Sequence, residues 1–257
     1  IALLFVLLIG RLIYFSIFKN GIYKRQVLSQ QNYSSETLPY KRGDILDRDG
    51  NTLATSQKMY TLVLEPKNIL RSEEVQKSTI DALHKYMKLD EDKLLKFIKR
   101  HKDSYYSVYR EELSYSQIAA LKDFIASDKA ENVSGIVFNE KYKRRYPNQS
   151  LASQVIGFIS DGTIGTGGIE QYYNSTLSGV DGRKYKYLNE ELEQDSSIVE
   201  PENGKTVVTT IDSNIQKLAE DQLSKFEKKY GSKGSSILVM NPNNGEIYAM
   251  ANSTSYN

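Results

Sequence analysis

Between residues 41 and 56 the stretch KRGDILDRDGNTLATS sets Arg42 and Arg48 among Asp44, Asp47 and Asp49. Such residues could hold a divalent cation, pass protons, or brace two segments through ion pairs. A helix–loop–helix calcium loop needs oxygen ligands at its first position, glycine at its sixth and a bidentate Glu at its twelfth. With Gly50 as that glycine, the first and twelfth positions fall on Ile45 and Ser56, and the frame fails. Asp47 and Asp49 flank Arg48 on a hairpin arm and turn, so salt-bridged or solvated structure is the better reading than acid–base work. Asp49-Gly50 reads as a two-residue turn in which both central residues take positive φ.

A partner for these arginines stands far along the chain. Glu170 opens a helix in GGIEQYYN, where the dipole favours an anion. Either Arg42 or Arg48 is expected to pair with Glu170, because an arginine fork suits a carboxylate. Arg42, Gly43, Asp47, Arg48, Gly168 and Glu170 are the candidate residues of this structural motif.

Other chemistries fail on spacing. Gly204-Lys205-Thr206 resembles the end of a phosphate loop, but the required upstream glycine is Val199. Gly165 and Gly167 lack a third glycine at Glu170, so no dinucleotide fingerprint forms. A serine nucleophile with a lysine one helical turn on would be a transferase signature. The one such spacing, Ser16 to Lys19, lies at the end of an apolar run, and Ser-Asp-Asn and Lys-Thr-Gly are absent. The chain has two His and no Cys, which excludes thiolate metal sites and disulfides. No catalytic residue, metal or cofactor is assigned. A net charge of +2, with basic and acidic residues interspersed, gives no case for nucleic acid.

The elements that would position the motif can be read from periodicity. Residues 1–18, IALLFVLLIGRLIYFSIF, are nearly long enough to span a bilayer and end in aromatic residues, which favours an uncleaved anchor. Arg11 within that run either snorkels or meets a partner helix. MYTLVLEP reads as a strand with Tyr60, Leu62 and Leu64 on one side. Ser72, Asp90 and Ser114 cap three amphipathic helices, the last with Gln117 in capping-box spacing. SYYSVYREEL and SGIVFNEKYKRRYP read as strands. A short helix in LASQVI leads to a glycine-rich connection, a helix over 168–179 with Ile169, Tyr173 and Leu177 inward, and a strand in GRKYKYLN. ELEQDSSIVEPENG reads as a polar loop and domain boundary. After it come a strand in TVVTTI, a helix with Ile215, Leu218, Ala219, Gln222, Leu223 and Phe226 inward, and a hairpin across NPNNG.

Six pieces in this order resemble the class B penicillin-binding proteins, monofunctional peptidoglycan transpeptidases: the apolar anchor, RGDILDRDGNTLA, RRYPNQSLASQVIGF, GTGGIEQYYNSTLSGVDG, TTIDSNIQKLAEDQL and ILVMNPNNGEIYAMAN. The wording of RRYP and ASQVIGF is closer to the division and sporulation branch. The resemblance implies an α+β chain. Residues 1–18 would be a single transmembrane helix. Residues 19–200 would form an elongated pedestal, or dimerisation domain, with 67–140 as an inserted helical head. Residues 201–257 would begin an α/β transpeptidase domain whose catalytic serine lies downstream, leaving these 257 residues inactive alone. It further implies a bacterial cell membrane, with the bulk of the chain on the extracytoplasmic side. The implied partners are a membrane-embedded glycan polymerase, division or spore-wall proteins, peptidoglycan precursors and beta-lactams. A non-catalytic scaffold that activates a polymerase is the competing expectation.

Overall fold

The computed structural model describes residues 34–160, 163–188, 194–232 and 234–253. The expected anchor at 1–18, with Arg11, lies outside them. Among the described residues no helix is long and apolar enough to cross a membrane.

In chain order the strands are β1 (Ser34–Leu38), β2 (Ile45–Leu46), β3 (Thr52–Leu64), β4 (Ser107–Leu113), β5 (Ile136–Arg145), β6 (Phe158–Ser160), β7 (Ile164–Thr166), β8 (Gly182–Leu188), β9 (Gln194–Val199), β10 (Val207–Val208), β11 (Ser236–Met240) and β12 (Ile247–Asn252). The helices are α1 (Pro66–Ile69), α2 (Glu73–Met87), α3 (Glu91–Arg100), α4 (Tyr115–Ile125), α5 (Ser153–Ile156), α6 (Gly168–Tyr172), α7 (Asn174–Leu177) and α8 (Ser213–Tyr230). The fold is mixed α+β. It divides into a central unit, Ala54–Pro147, and a discontinuous unit made of Ile1–Leu53 and Asn148–Asn257.

The central unit is a three-stranded antiparallel sheet with β3 between β4 and β5. Tyr60, Leu62 and Leu64 of β3 join Leu83, Leu94, Ile98, Ile118 and Leu121 of the helices in one buried cluster. The caps are those the residue types dictate. Ser72 accepts from the Val75 amide, Asp90 accepts from the Lys93 amide, and Ser114 with Gln117 forms a capping box. Met59, Thr61 and Val63 are buried as well, although alternation puts them on the opposite face. Both faces of β3 are therefore covered, which simple alternation does not anticipate.

In the discontinuous unit, β8 lies between β1 and β9 in an antiparallel sheet. The segment read as a polar loop therefore holds β9, whose backbone groups are satisfied by β8. Within the glycine-rich connection β6 and β7 pair antiparallel. The helix expected over 168–179 breaks at Tyr173 into α6 and α7. Leu177 is buried, but Tyr173 is exposed and Glu170 takes the inward place. TVVTTI contributes only the two residues of β10, paired parallel to β2.

Helix α8 is capped by Asp212, which accepts from the Asn214 and Ile215 amides, and stops at Gly231 in the left-handed conformation. It packs on the β11–β12 hairpin through Ala219 and Leu223 against Ala249 and Ala251. The expected stripe is rotated. Leu218 and Phe226 are exposed, and Gln216 is fully buried. The reason is backbone accounting. The Gln216 amide donates to the Met250 carbonyl (2.9 Å) and accepts from the Met250 amide (2.7 Å), closing that edge of β12 as a neighbouring strand would.

Candidate functional site

The 41–53 segment is a hairpin, built differently from the expected turn. The Gly50 amide donates to the Asp47 carbonyl and the Asp47 amide to the Asn51 carbonyl, leaving a three-residue loop, Arg48-Asp49-Gly50. Gly50 alone takes positive φ (+85°); Asp49 does not. This is the longer hairpin geometry, with a single left-handed residue at the end of the loop. Ile45 and Leu53 on its arms are buried.

Asp47 organises that loop. Its Oδ1 accepts from the Asp49 and Asn51 amides, and its Oδ2 accepts from Asn51 Nδ2 (2.9 Å) and the Ser213 hydroxyl (2.6 Å). It is fully buried and bound to no arginine among the described residues, so its expected ion-pair role gives way to that of a hydrogen-bond hub. Burial pushes its pKa up, but the bonds from Ser213, Asn51 and the two amides outweigh this and bring it down to about 2. A carboxylate held below its free value of 3.8 stabilises the fold above about pH 4. That stabilisation is lost as pH falls from about 4 towards 2, and the shift corresponds to about 2 kcal/mol. The gap in unfolding free energy between wild type and Asp47→Asn should therefore be largest at pH 6 and shrink below pH 4. Denaturant titrations at pH 6 and pH 3 measure it, and an equal gap at both would contradict the assignment.

The two arginines separate. Arg42 goes to Glu170: its Nε and Nη2 both lie 2.9 Å from Glu170 Oε2. Nη2 also donates to the Glu170 carbonyl (3.1 Å), and Nη1 to the Ser178 hydroxyl (2.8 Å). Arg42 is 5% exposed and Glu170 0%. Arg48 does not reach Glu170. It leads the turn, where its amide donates to the Ile211 carbonyl and its guanidinium sits 4.3 Å from the Tyr248 ring centroid. A hydrogen bond with the Tyr248 side chain, and the nearby Glu246 and Asp49, raise the Arg48 pKa further.

Two glycines allow the backbones to meet. A Cβ on Gly43 would lie 2.0 Å from the Lys205 carbonyl oxygen, and Gly43 donates its amide to Leu177. Gly168, at φ +47°, would place a Cβ 2.1 Å from the Val155 carbonyl oxygen. The hairpin thus holds three stretches together: 163–178 through Arg42 and Gly43, 203–213 through β10, Thr209 and Ser213, and β12 through Arg48. Ser178, Ser213, Gln216 and Tyr248 are functional partners that sequence reasoning missed. Of these only Gln216, a polar residue beside an otherwise apolar stripe, carried a visible signal.

The arrangement is a clamp whose polar groups are engaged with one another. Among the described residues no group of three or more acidic or imidazole side chains is placed to hold a metal ion. Its chemistry is positional.

Comparison with known proteins agrees with that geometry. Residues 37–209, which contain Arg42, Asp47, Gly168 and Glu170, match the family model described as the penicillin-binding protein dimerisation domain. Stage V sporulation protein D of Bacillus subtilis is 29% identical over 97% of this chain and 39% of its own length. The probable peptidoglycan D,D-transpeptidase PenA of Neisseria meningitidis is 28% identical over the whole chain and 43% of its own length. The chain thus spans about two fifths of the length of these curated relatives. Among solved structures, penicillin-binding protein 2X of Streptococcus thermophilus shares the fold with a TM-score of 0.72, at 24% identity over 87% of this chain and 36% of that one. Because the hairpin, its glutamate and the glycines between them all lie within the matched dimerisation domain, the chain belongs to the class B penicillin-binding protein family.

Proposed function

We propose that this protein is a membrane-anchored serine D,D-transpeptidase that crosslinks peptidoglycan stem peptides on the outer side of the cytoplasmic membrane of a bacterium. Residues 1–18 are its single anchor, 19–200 its pedestal with 67–140 as the inserted head, and 201–257 the opening of its transpeptidase domain. The observation that carries this reading is the order of elements: the matched dimerisation domain runs directly into a helix and hairpin within a stretch shared with relatives named as D,D-transpeptidases. The hairpin supports it physically. Leu238 and Met240 are exposed on the face of β11 opposite α8, as expected of a sheet that carries a further layer. The catalytic serine and its lysine belong to that further part of the domain, where beta-lactams acylate the serine. The pedestal and Arg11 in the anchor face a membrane-embedded glycan polymerase and other division or spore-wall proteins.

Labelling of bacterial membranes with a fluorescent penicillin tests the reading. The full-length protein carrying this sequence should give a labelled band that excess unlabelled penicillin abolishes, whereas residues 1–257 expressed alone should give none. Full-length protein that is folded, membrane-bound and unlabelled would favour a scaffold that acts on a polymerase without chemistry of its own.

A further inference from the structure

Strand β5 presents an unusual edge. It pairs with β3 over ten residues, Ile136 to Arg145, and among the described residues no strand lies on its other side. Long open edges invite strand addition, and proteins blunt them with charge. Here the charge on one face of the strand is of one sign and regularly spaced. Lys141, Lys143 and Arg145 alternate along β5, all exposed and all on one face, opposite Met59, Gln57 and Thr55 of β3. Glu112 binds Lys143 (2.6 Å) and Gln57 accepts from Arg145 (3.2 Å). Lys141 and Arg145 have no carboxylate partner among the described residues. Lys143 first, then Arg145 and Lys141, lower the Glu112 pKa, so the three cations share one small region.

This pattern discriminates between occupants. A second copy of β5 laid antiparallel with Lys143 opposite its own equivalent would set Lys141 opposite Arg145, cation against cation at all three positions, which is destabilising. A strand with carboxylates at alternate positions would place each acid opposite a base, and its backbone would complete the edge ladder. We propose that the free edge of β5 is a docking site for an extended acidic peptide segment of a partner protein. The segment adds as a fourth strand and presents carboxylates at positions i, i+2 and i+4 to Lys141, Lys143 and Arg145. This inference does not depend on the transpeptidase reading.

Fluorescence anisotropy with the 257-residue chain in neutral detergent micelles tests it. The probe is a labelled nine-residue peptide with Glu at three alternate positions and Val or Thr between them. One control is the same peptide N-methylated at every residue, which removes all ladder donors and keeps the charge. Another is polyglutamate of equal charge. The triple variant Lys141→Gln/Lys143→Gln/Arg145→Gln should bind the probe about tenfold more weakly, and so should wild type bind the N-methylated peptide. If the triple variant does not fold, Lys141→Gln alone, which breaks no ion pair, should still weaken binding about twofold. The proposal is overturned if wild type shows no binding at millimolar peptide or the variants bind as wild type does. It is likewise overturned if N-methylated peptide or polyglutamate binds as tightly as the probe, which would indicate a non-specific basic surface.

Discussion

Replacing Glu170 by Gln, or Arg42 by Met, should lower the unfolding free energy by about 3–5 kcal/mol. Each substitution leaves a buried charge without its counter-charge, and Arg42 and Glu170 are almost wholly removed from solvent. Arg42→Lys should cost nearly as much, because one ammonium cannot reach the Glu170 carboxylate, the Glu170 carbonyl and Ser178 together as the guanidinium does. The double variant Arg42→Met/Glu170→Leu should recover most of the loss, since apolar groups of similar volume replace a buried pair at little net cost. Chemical denaturation followed by circular dichroism measures the cycle, and amide exchange over 163–178 gives the local readout. The exposed pair Lys58–Glu140 (2.8 Å) is the internal control, where loss of either partner should cost below about 1 kcal/mol. Single substitutions at 42 and 170 that fall in that same low range would mean that each charge is separately solvated.

Gly168→Ala should cost about 2–5 kcal/mol, for two reasons that a second glycine separates. The left-handed conformation at φ +47° penalises any Cβ by about 1–2 kcal/mol. Contact with the Val155 carbonyl at 2.1 Å then forces the 155–157 and 165–170 backbones apart, adding about 1–3 kcal/mol of overpacking. Gly231 is also left-handed (φ +65°) but has nothing within 4 Å of the Cβ position, so Gly231→Ala should show only the first cost. Equal losses at the two positions, read by thermal melting, would mean that close packing at Gly168 plays no part. The displacement at 168 should also loosen Arg42, because Glu170 follows two residues later.

The capped helices of the central unit were legible because their signals are local. A Ser or Asp cap and an apolar face at helical spacing specify a helix from neighbouring residues alone, and Ser72, Asp90 and Ser114 sit where those rules put them. The discontinuous unit was harder to read for the opposite reason. β9 exists because β8 supplies its hydrogen bonds, and the break between α6 and α7 accompanies the burial of Glu170 against Arg42, 128 residues away. Gln216 turns inward because the edge of β12 needs a donor and an acceptor at Met250. None of these partners is near in sequence.

The sequence by itself determined the family, through six ordered pieces, and it determined that Glu170 would meet an arginine of the 41–56 stretch. Residue types sufficed there, since a lone carboxylate beside glycines and two arginines in one short stretch have few other uses. Only the tertiary structure decided which arginine. Arg42 lies before the first arm of the hairpin, beside the chain at Leu177, and its side chain can enter the unit. Arg48 lies at the turn, where its amide is tied to Ile211 and its side chain is carried to Tyr248. The same loop geometry drew Asp47 inward to Ser213. Local bonds among Asp47, Gly50 and Asn51 close the three-residue loop, and bonds across more than a hundred residues, from Arg48 to Ile211 and from Ser213 to Asp47, hold it in place.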